Sequence, residues 1–141
     1  MSELDLRTTL GGANRSERLF RAIVDNMPAQ IWLGGADGAA EFINQRWLDY
    51  MGLPAEDALG WKWTDAVHPD DRPALFEHWQ HLLRLGESGE IEVRLRRADG
   101  EFRWFLLYAY PLHDDSGSIL RWCGSNTDID DRKRAADERS R

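Results

Sequence analysis

Histidine and cysteine are the residues of this sequence most able to bind a metal or act as a nucleophile, and the 141 residues include four histidines and one cysteine. His68 begins the run His-Pro-Asp-Asp-Arg, where an imidazole could ligate haem or a metal. The same run also suits a turn whose two acids lie at the positive end of the following helix. His78 and His81 lie three residues apart on a predicted helix, without a cysteine or carboxylate at metal-binding spacing. We predict a turn at His68 and no metal site, with haem ligation by His78 or His81 as the alternative.

No other group of residues predicts catalysis. The run Gly34-Gly35-Ala36-Asp37-Gly38 is rich in glycine, but no long helix follows it, as a dinucleotide site requires. Acidic side chains are spread over turns and outer strand faces, without a nucleophile beside a base. Cys123 is expected to be a small, half-buried, apolar residue on the outer face of the last strand. We therefore predict that this chain is not itself an enzyme.

Asn126 is the polar residue whose position most favours contact with a ligand. Alternation along the last strand directs its side chain inward, together with Trp122 and Gly124. An inward amide in an apolar interior needs a partner from backbone, water or ligand, or it costs about 1–3 kcal/mol. A satisfied structural role and a ligand contact both remain open for Asn126.

Three long strand patterns must position these side chains. Residues 90–96 alternate polar and apolar side chains, residues 102–112 follow the turn at Asp99-Gly100, and residues 119–128 follow a second turn. The inward-facing residues of the first two strands are Ile91, Val93, Leu95, Phe105, Leu107 and Ala109. The outward-facing residues of the second strand are Trp104, Leu106, Tyr108 and Tyr110. Because a soluble monomer rarely exposes such an apolar face, we expect the N-terminal segment or a partner to cover it.

Helical patterns account for the remaining chain. The first helix ends before Pro28 and carries an apolar stripe. Two short strands are predicted at residues 30–33 and 41–43, and Asn44 is expected to cap a helix that ends at Gly52. A longer helix begins near Pro73. The apolar stripe of the first helix comprises Leu19, Phe20, Ile23, Val24 and Met27, and that of the long helix comprises Leu75, Phe76, Trp79, Leu82 and Leu83.

Composition restricts the class of protein. The net charge of −7 argues against nucleic acid and anionic membrane partners, which both require a basic face. No segment reaches the roughly 20 apolar residues of a membrane span, and a signal-peptide core is missing. A single cysteine excludes an internal disulfide and suits a reducing compartment. We expect one cytoplasmic domain with a core and no membrane insertion.

Four motifs, in this order and at these distances, make the chain resemble the PAS sensory domain of bacterial sensor histidine kinases and diguanylate cyclases. They are Asn26-Met27-Pro28, His68-Pro69-Asp70-Asp71-Arg72, Asp99-Gly100 with Arg103-Trp104, and Thr127-Asp128-Ile129 followed by Arg132-Lys133. The resemblance implies an α+β fold, in which small helices cover one face of a five-stranded antiparallel sheet of order 2-1-5-4-3. It divides the chain into a flexible leader (residues 1–14), the PAS domain (15–129) and the start of a signalling linker helix (130–141).

In that family, the sheet and helices enclose a cavity that binds flavin, haem, a small metabolite or nothing identifiable. The pocket residues that the resemblance implies here are Trp47, Trp63, Val93, Leu95, Phe105, Leu107, Trp122 and Asn126. Trp63 stands where the blue-light flavin subclass has its cysteine, after the pair Leu59-Gly60, so a flavin–thiol adduct is excluded. Leu95 and Phe105 occupy positions that are polar in many flavin binders. The cofactor is therefore left unknown, flavin and haem are disfavoured, and the large side chains could simply fill the space.

The resemblance implies a sensory module of a larger signal-transduction protein. Asp128 and Ile129 would connect the sheet edge to the linker helix, which would lead to a kinase or cyclase output domain in the same chain. A homodimer would form through the outer sheet face or the N-terminal helix. One alternative is a module that serves only dimerisation or docking and has a filled cavity. The other is a small α+β enzyme of the cone-shaped barrel type.

Overall fold

The computed structural model describes residues 15–140, so the predicted leader lies outside the described residues. Residues 15–25 are helical and are called α1 here. Short 3-10 helices at Ala55–Asp57, Lys62–Ala66 and Pro69–Asp71 occupy the stretch between α2 and α3. The remaining elements are β1 (Gln30–Gly34), β2 (Ala40–Ile43), α2 (Gln45–Met51), α3 (Arg72–Leu85), β3 (Gly89–Arg96), β4 (Phe102–His113), β5 (Ile119–Asp128) and α4 (Asp130–Ser140).

The five strands form one antiparallel sheet in the order β2-β1-β5-β4-β3, which confirms the predicted fold. The hairpin between β3 and β4 turns at Gly100, whose φ of 93° is the left-handed conformation that glycine adopts without strain. Register pairs Val93 with Phe105 and Leu107 with Asn126. The predicted inward residues of β3 and β4 therefore share one face, and all except the half-buried Ile91 are buried.

Tryptophan fills the space between this sheet face and the helices. Six of the seven tryptophans form a continuous series of ring contacts, with centroids 5.2 to 6.4 Å apart. They are Trp32, Trp47, Trp61, Trp63, Trp79 and Trp122. Gly124 makes room for one of them, because a Cβ there would lie 2.6 Å from the Trp32 ring and 2.0 Å from the Tyr108 carbonyl oxygen. The interior is therefore packed with aromatic side chains.

Asn44 connects α1, β1 and α2. It is fully buried, and its Nδ2 donates to the carbonyl oxygens of Val24 (2.9 Å) and Ala29 (2.8 Å). Its Oδ1 accepts from the backbone N–H groups of Ile31 and Trp47, so it caps α2 as predicted. One amide thus fixes the end of α1 against the start of the sheet.

Two predicted apolar stripes are only partly buried. On α3, Leu75, Trp79 and Leu82 are buried, but Phe76 is 40% exposed. Phe76 lies one residue past Leu75, about 100° farther round the helix, which turns it away from the core. On α1 only Val24 is buried. Among the described residues, no helix has the length and apolar character needed to cross a bilayer.

Candidate functional site

The predicted pocket residues lie together around the sheet interior, and each is buried. The space that remains there has a volume of about 20 Å³, between α2, α3 and the inner sheet face. That volume holds one water molecule and is far smaller than a ligand cavity of about 300 Å³ or more. The tryptophans thus fill most of the interior between the sheet and the helices.

Two buried polar atoms have no hydrogen-bond partner within residues 15–140, and both belong to residues that line this small space. They are the indole Nε1 of Trp47, a donor, and the Oδ1 of Asn126, an acceptor. The other half of the Asn126 amide is paired, because its Nδ2 donates to Gln30 Oε1 at 3.0 Å. Asn126 is thus a structurally tied amide with one free acceptor.

A larger cleft, of about 570 Å³, lies on the other side of this amide, between α2 and the ends of β1 and β5. Asn126 lines both this cleft and the small interior space. Gln30 and Asn126 are buried, whereas the charged residues around the cleft are exposed. The residues lining it are Asp25, Pro28, Ala29, Gln30, Gln45, Arg46, Asp49, Tyr50, Phe105, Asn126, Thr127 and Asp128.

Asp128 lies at the end of β5, where the sheet passes into α4. Its Oδ2 accepts from Arg103 Nε at 2.7 Å, and its Oδ1 accepts from the backbone N–H of Asp130 at 2.9 Å. The Ile129 N–H donates to the Trp104 carbonyl oxygen at 2.8 Å, and the Ile129 side chain is buried. These contacts join the ends of β4 and β5 to the first turn of α4.

Asp130 is a functional candidate that the sequence pattern did not indicate. Its side chain is only 3% exposed, and it accepts from the Trp104 N–H at 3.1 Å and from Arg134 Nε. Burial disfavours its charged form, but the hydrogen bonds from Arg134 and Trp104, with the nearby Arg103 charge, lower its pKa below the ordinary value. Asp130 therefore anchors α4 as a carboxylate.

A second set of contacts crosses the outer face from the helical layer to α4. Asp71 accepts three hydrogen bonds from Arg94, at its backbone N (2.8 Å), Nε (3.1 Å) and Nη2 (2.9 Å). The Arg94 guanidinium lies 5.0 Å from the Trp104 ring centroid, and Lys133 Nζ lies 4.5 Å from the same centroid. Trp104 is thus held between cations from β3 and α4.

The aromatic outer face is only partly covered. Tyr108 and Tyr110 are 39% and 40% exposed, whereas Trp104 and Leu106 are half-buried. The described part of α1 packs against β2, where Phe20 lies 5.8 Å from Phe42. Since β2 is at the opposite edge of the sheet from β3, α1 leaves the two tyrosines accessible.

The contacts and burial of His68, His78 and Cys123 favour structural roles for these residues. His68 caps the 3-10 helix Pro69–Asp71, because its Nδ1 accepts from the Asp70 N–H at 3.1 Å, as expected for a turn. Burial and the neighbouring His81 lower the pKa of His78. Burial raises the pKa of the Cys123 thiol, which makes the thiol a poor nucleophile. Across residues 15–140, no group of three or more His, Cys, Asp or Glu side chains is arranged to hold a metal ion.

Comparison with known proteins agrees with this geometry. A family model described as PAS fold matches residues 40–126. The uncharacterised protein y4lL of Sinorhizobium fredii is 37% identical over 96% of this chain, and the peroxide stress-activated histidine kinase mak1 of Schizosaccharomyces pombe is 32% identical over 91%. The chain spans 16% and 8% of these two relatives.

Among solved structures, the N-terminal domain of a diguanylate cyclase with a PAS/PAC sensor from Marinobacter aquaeolei superposes with a TM-score of 0.67. It is 22% identical, and the match covers 74% of this chain and 98% of that one. The sheet order, the motifs and the family match lead to one conclusion: the chain belongs to the PAS fold family.

Proposed function

We propose that this chain is a sensory module of a larger cytoplasmic signal-transduction protein and acts on a kinase or cyclase output domain through α4. The observation that carries the proposal is the set of contacts at Asp128, which joins two strands and the exit helix in one hydrogen-bonded group. The relatives support it, because the chain matches 8% of a protein named as a histidine kinase. The rest of such a protein has room for an output domain.

The mechanism follows from how α4 is held. Its sequence, from Asp130 to Ser140, is mostly charged and has few apolar positions, so packing along its length cannot fix its direction. Its orientation depends on its first turn, where Asp128, Asp130 and Ile129 bind β4 and β5. A stimulus that shifts the ends of these strands changes the position of α4, provided that it favours one state over the other.

The test replaces one carboxylate in the full-length protein that contains this chain. Asp128→Asn removes the charge of the carboxylate that is hydrogen-bonded to Arg103. Asp131→Asn is the matched control, because Asp131 is 98% exposed and its Oδ1 lies 3.7 Å from Arg103 Nη2, farther than the 2.7 Å between Asp128 Oδ2 and Arg103 Nε. We expect Asp128→Asn to speed hydrogen exchange in the first turn of α4 and to change output activity, while Asp131→Asn leaves both near wild type. Output activity that is equal in the two variants and the wild type, with both folded, would contradict the proposal.

A module that serves only dimerisation is the second candidate, and the filled interior and the accessible tyrosines favour it. In that case the outer face binds a second copy, and no ligand is needed. Changes on the outer face would then alter output through the oligomeric state, whereas changes in the cleft would have no effect.

A further inference from the structure

We propose that the small interior space between α2, α3 and the inner sheet face binds one water molecule, which links the helical layer to the sheet. The water accepts a hydrogen bond from Trp47 Nε1 and donates one to Asn126 Oδ1. This site is separate from the function proposed above, and its test does not depend on an output domain. Polarity, size and the placement of the two residues each contribute to this assignment.

The polarity of the space comes from two buried atoms that have no partner within residues 15–140. Trp47 is 1% exposed and its Nε1 is a donor, whereas Asn126 is 3% exposed and its Oδ1 is an acceptor. Both residues line the space. Buried polar groups are nearly always hydrogen-bonded to protein or to ordered water, because an unpaired one is unfavourable. One bound molecule that accepts a hydrogen bond and donates another satisfies both atoms.

The size of the space restricts this molecule to water. Its volume is about 20 Å³, and a buried water needs a cavity of at least roughly 10–15 Å³. Small metabolites need about 300 Å³ or more. Most of the remaining wall consists of leucine, isoleucine and tryptophan side chains. A buried water generally has two to four polar partners, and the two unpaired atoms supply that minimum.

The proposed water completes a series of hydrogen bonds across the core. Asn126 Nδ2 donates to Gln30 Oε1 at 3.0 Å, so this amide pair already joins β5 to β1. Trp47 lies on α2, where its backbone N–H is bound by the Asn44 cap. The water would therefore connect α2 to β5 and, through the amide pair, to β1. Asn126 lies two residues before Asp128, so the connected strand is the one that leads into α4.

Trp122 provides a control within the same molecule, because its indole is equally buried but has a protein partner. It is 0% exposed, and its Nε1 donates to the Ala36 carbonyl oxygen at 3.2 Å. In NMR spectra of the ¹⁵N-labelled chain, we expect the Trp47 indole N–H to show a nuclear Overhauser cross-peak to water with the sign of a long-lived contact. The Trp122 indole N–H should show none. Absence of the Trp47 cross-peak, or equal cross-peaks for the two indoles, would overturn the proposal.

A direct bond between the two atoms is the alternative arrangement. Neither atom has a partner in this structure, so they are not bonded to each other here. A high-resolution crystal structure of the chain separates the two arrangements. We expect one water oxygen within about 3.2 Å of both Trp47 Nε1 and Asn126 Oδ1. A direct Nε1–Oδ1 bond, or an empty space with both atoms unpaired, would contradict the proposal.

Two matched substitutions test whether the Trp47 indole holds the water. Trp47→Phe removes the donor, whereas Trp63→Phe removes an indole from the wall of the same space and leaves both proposed partners in place. Magnetic relaxation dispersion of the solvent counts the long-lived waters in each variant. We expect one fewer in Trp47→Phe than in the wild type, and an unchanged number in Trp63→Phe. Equal numbers in the two variants would contradict the assignment. If either variant fails to fold, the wild-type spectra and the crystal structure still decide it.

Discussion

Replacing Asp71 by asparagine should destabilise the fold far more than the same change at its neighbour Asp70. Asp71 accepts all three hydrogen bonds that Arg94 directs towards it, one from the backbone and two from the guanidinium. Asp70 is 79% exposed, and its Oδ2 lies 3.9 Å from His68 Nδ1, the atom that accepts the Asp70 N–H. The two residues are adjacent and chemically identical, so they form a matched pair.

The magnitude follows from burial and geometry. The side chains of Arg94 and Asp71 are 28% and 14% exposed, so water screens this pair only partly. An asparagine offers one acceptor oxygen and turns an NH₂ group towards a donor. Losing the charge-assisted part of this arrangement should cost about 2 kcal/mol, or roughly a 30-fold change in the unfolding equilibrium. The change at Asp70 should cost less than about 0.5 kcal/mol.

Urea unfolding followed by tryptophan fluorescence measures both free energies of unfolding at neutral pH. The reasoning is refuted if Asp71→Asn and Asp70→Asn agree to within about 0.5 kcal/mol, since only the position within the Arg94 contact separates them. A changed m-value in one variant would require a second probe, such as far-UV circular dichroism, to show that unfolding is still two-state.

The pH dependence of the free energy of unfolding tests the Asp71–Arg94 contact independently. Burial disfavours the charged form of Asp71, but the hydrogen bonds from Arg94 outweigh burial, so the pKa lies below its ordinary value of 3.8. A lowered pKa means that the carboxylate stabilises the folded state fully above that ordinary value. This stabilisation is lost as the pH falls through the lower, folded-state pKa. The gap in stability between wild type and Asp71→Asn should therefore be constant near neutrality and narrow in acid.

Three further predictions concern the sheet. Gly124→Ala should prevent folding or lower the free energy of unfolding by more than about 3 kcal/mol, because its Cβ would lie 2.0 Å from a backbone oxygen. Ser125→Ala is the control and should be tolerated. Soluble expression and urea unfolding measure both variants, and equal stability of the two would contradict the prediction. If the outer face forms a homodimer, Tyr108→Lys should lower the sedimentation coefficient at about 50 μM. Phe76→Lys, on α3 with similar exposure, should leave the sedimentation coefficient unchanged. Equal sedimentation coefficients for the two variants would count against dimerisation through the outer face. The Cys123 thiol should react with a thiol reagent at pH 7.5 only after urea unfolding, because burial raises its pKa; rapid reaction of the folded chain would disprove this.

The sheet could be predicted from sequence because two local signals agree along it. Alternation of polar and apolar residues sets which residues of β3 face inward, and the glycine of the Asp99-Gly100 pair fixes where the chain reverses. Once the turn is fixed, register follows, since a slip of one residue would put every apolar side chain on the wrong face. The cap at Asn44 and the turn at His68 were predictable for a similar reason, because each depends on contacts within a few residues.

The features that sequence did not reveal depend on distant contacts. Asp130 and Asp131 look alike in the sequence, as two acids in the first turn of a helix. Only one of them meets the N–H of Trp104, 26 residues away, and it is buried while its neighbour is 98% exposed. The paired amide of Gln30 is equally hidden from sequence, because its partner Asn126 is 96 residues away. No local pattern could have separated Asp130 or Gln30 from ordinary surface polar groups.

The filled interior also explains why a conformational change would reach α4 through the ends of β4 and β5. A core of contacting indole rings has almost no free volume, so it cannot yield gradually when a ligand presses on it. A tightly packed sheet and its helices move instead as units, between discrete arrangements. The boundaries of such units are the places where a small binding energy can act, and here they are the cleft beside α2 and the turn from β5 into α4. Both boundaries include Asp128, which lines the cleft and accepts the N–H of Asp130. A displacement of the β5 end at Asp128 therefore reaches the first turn of the exit helix through one carboxylate, without passing through the tryptophans.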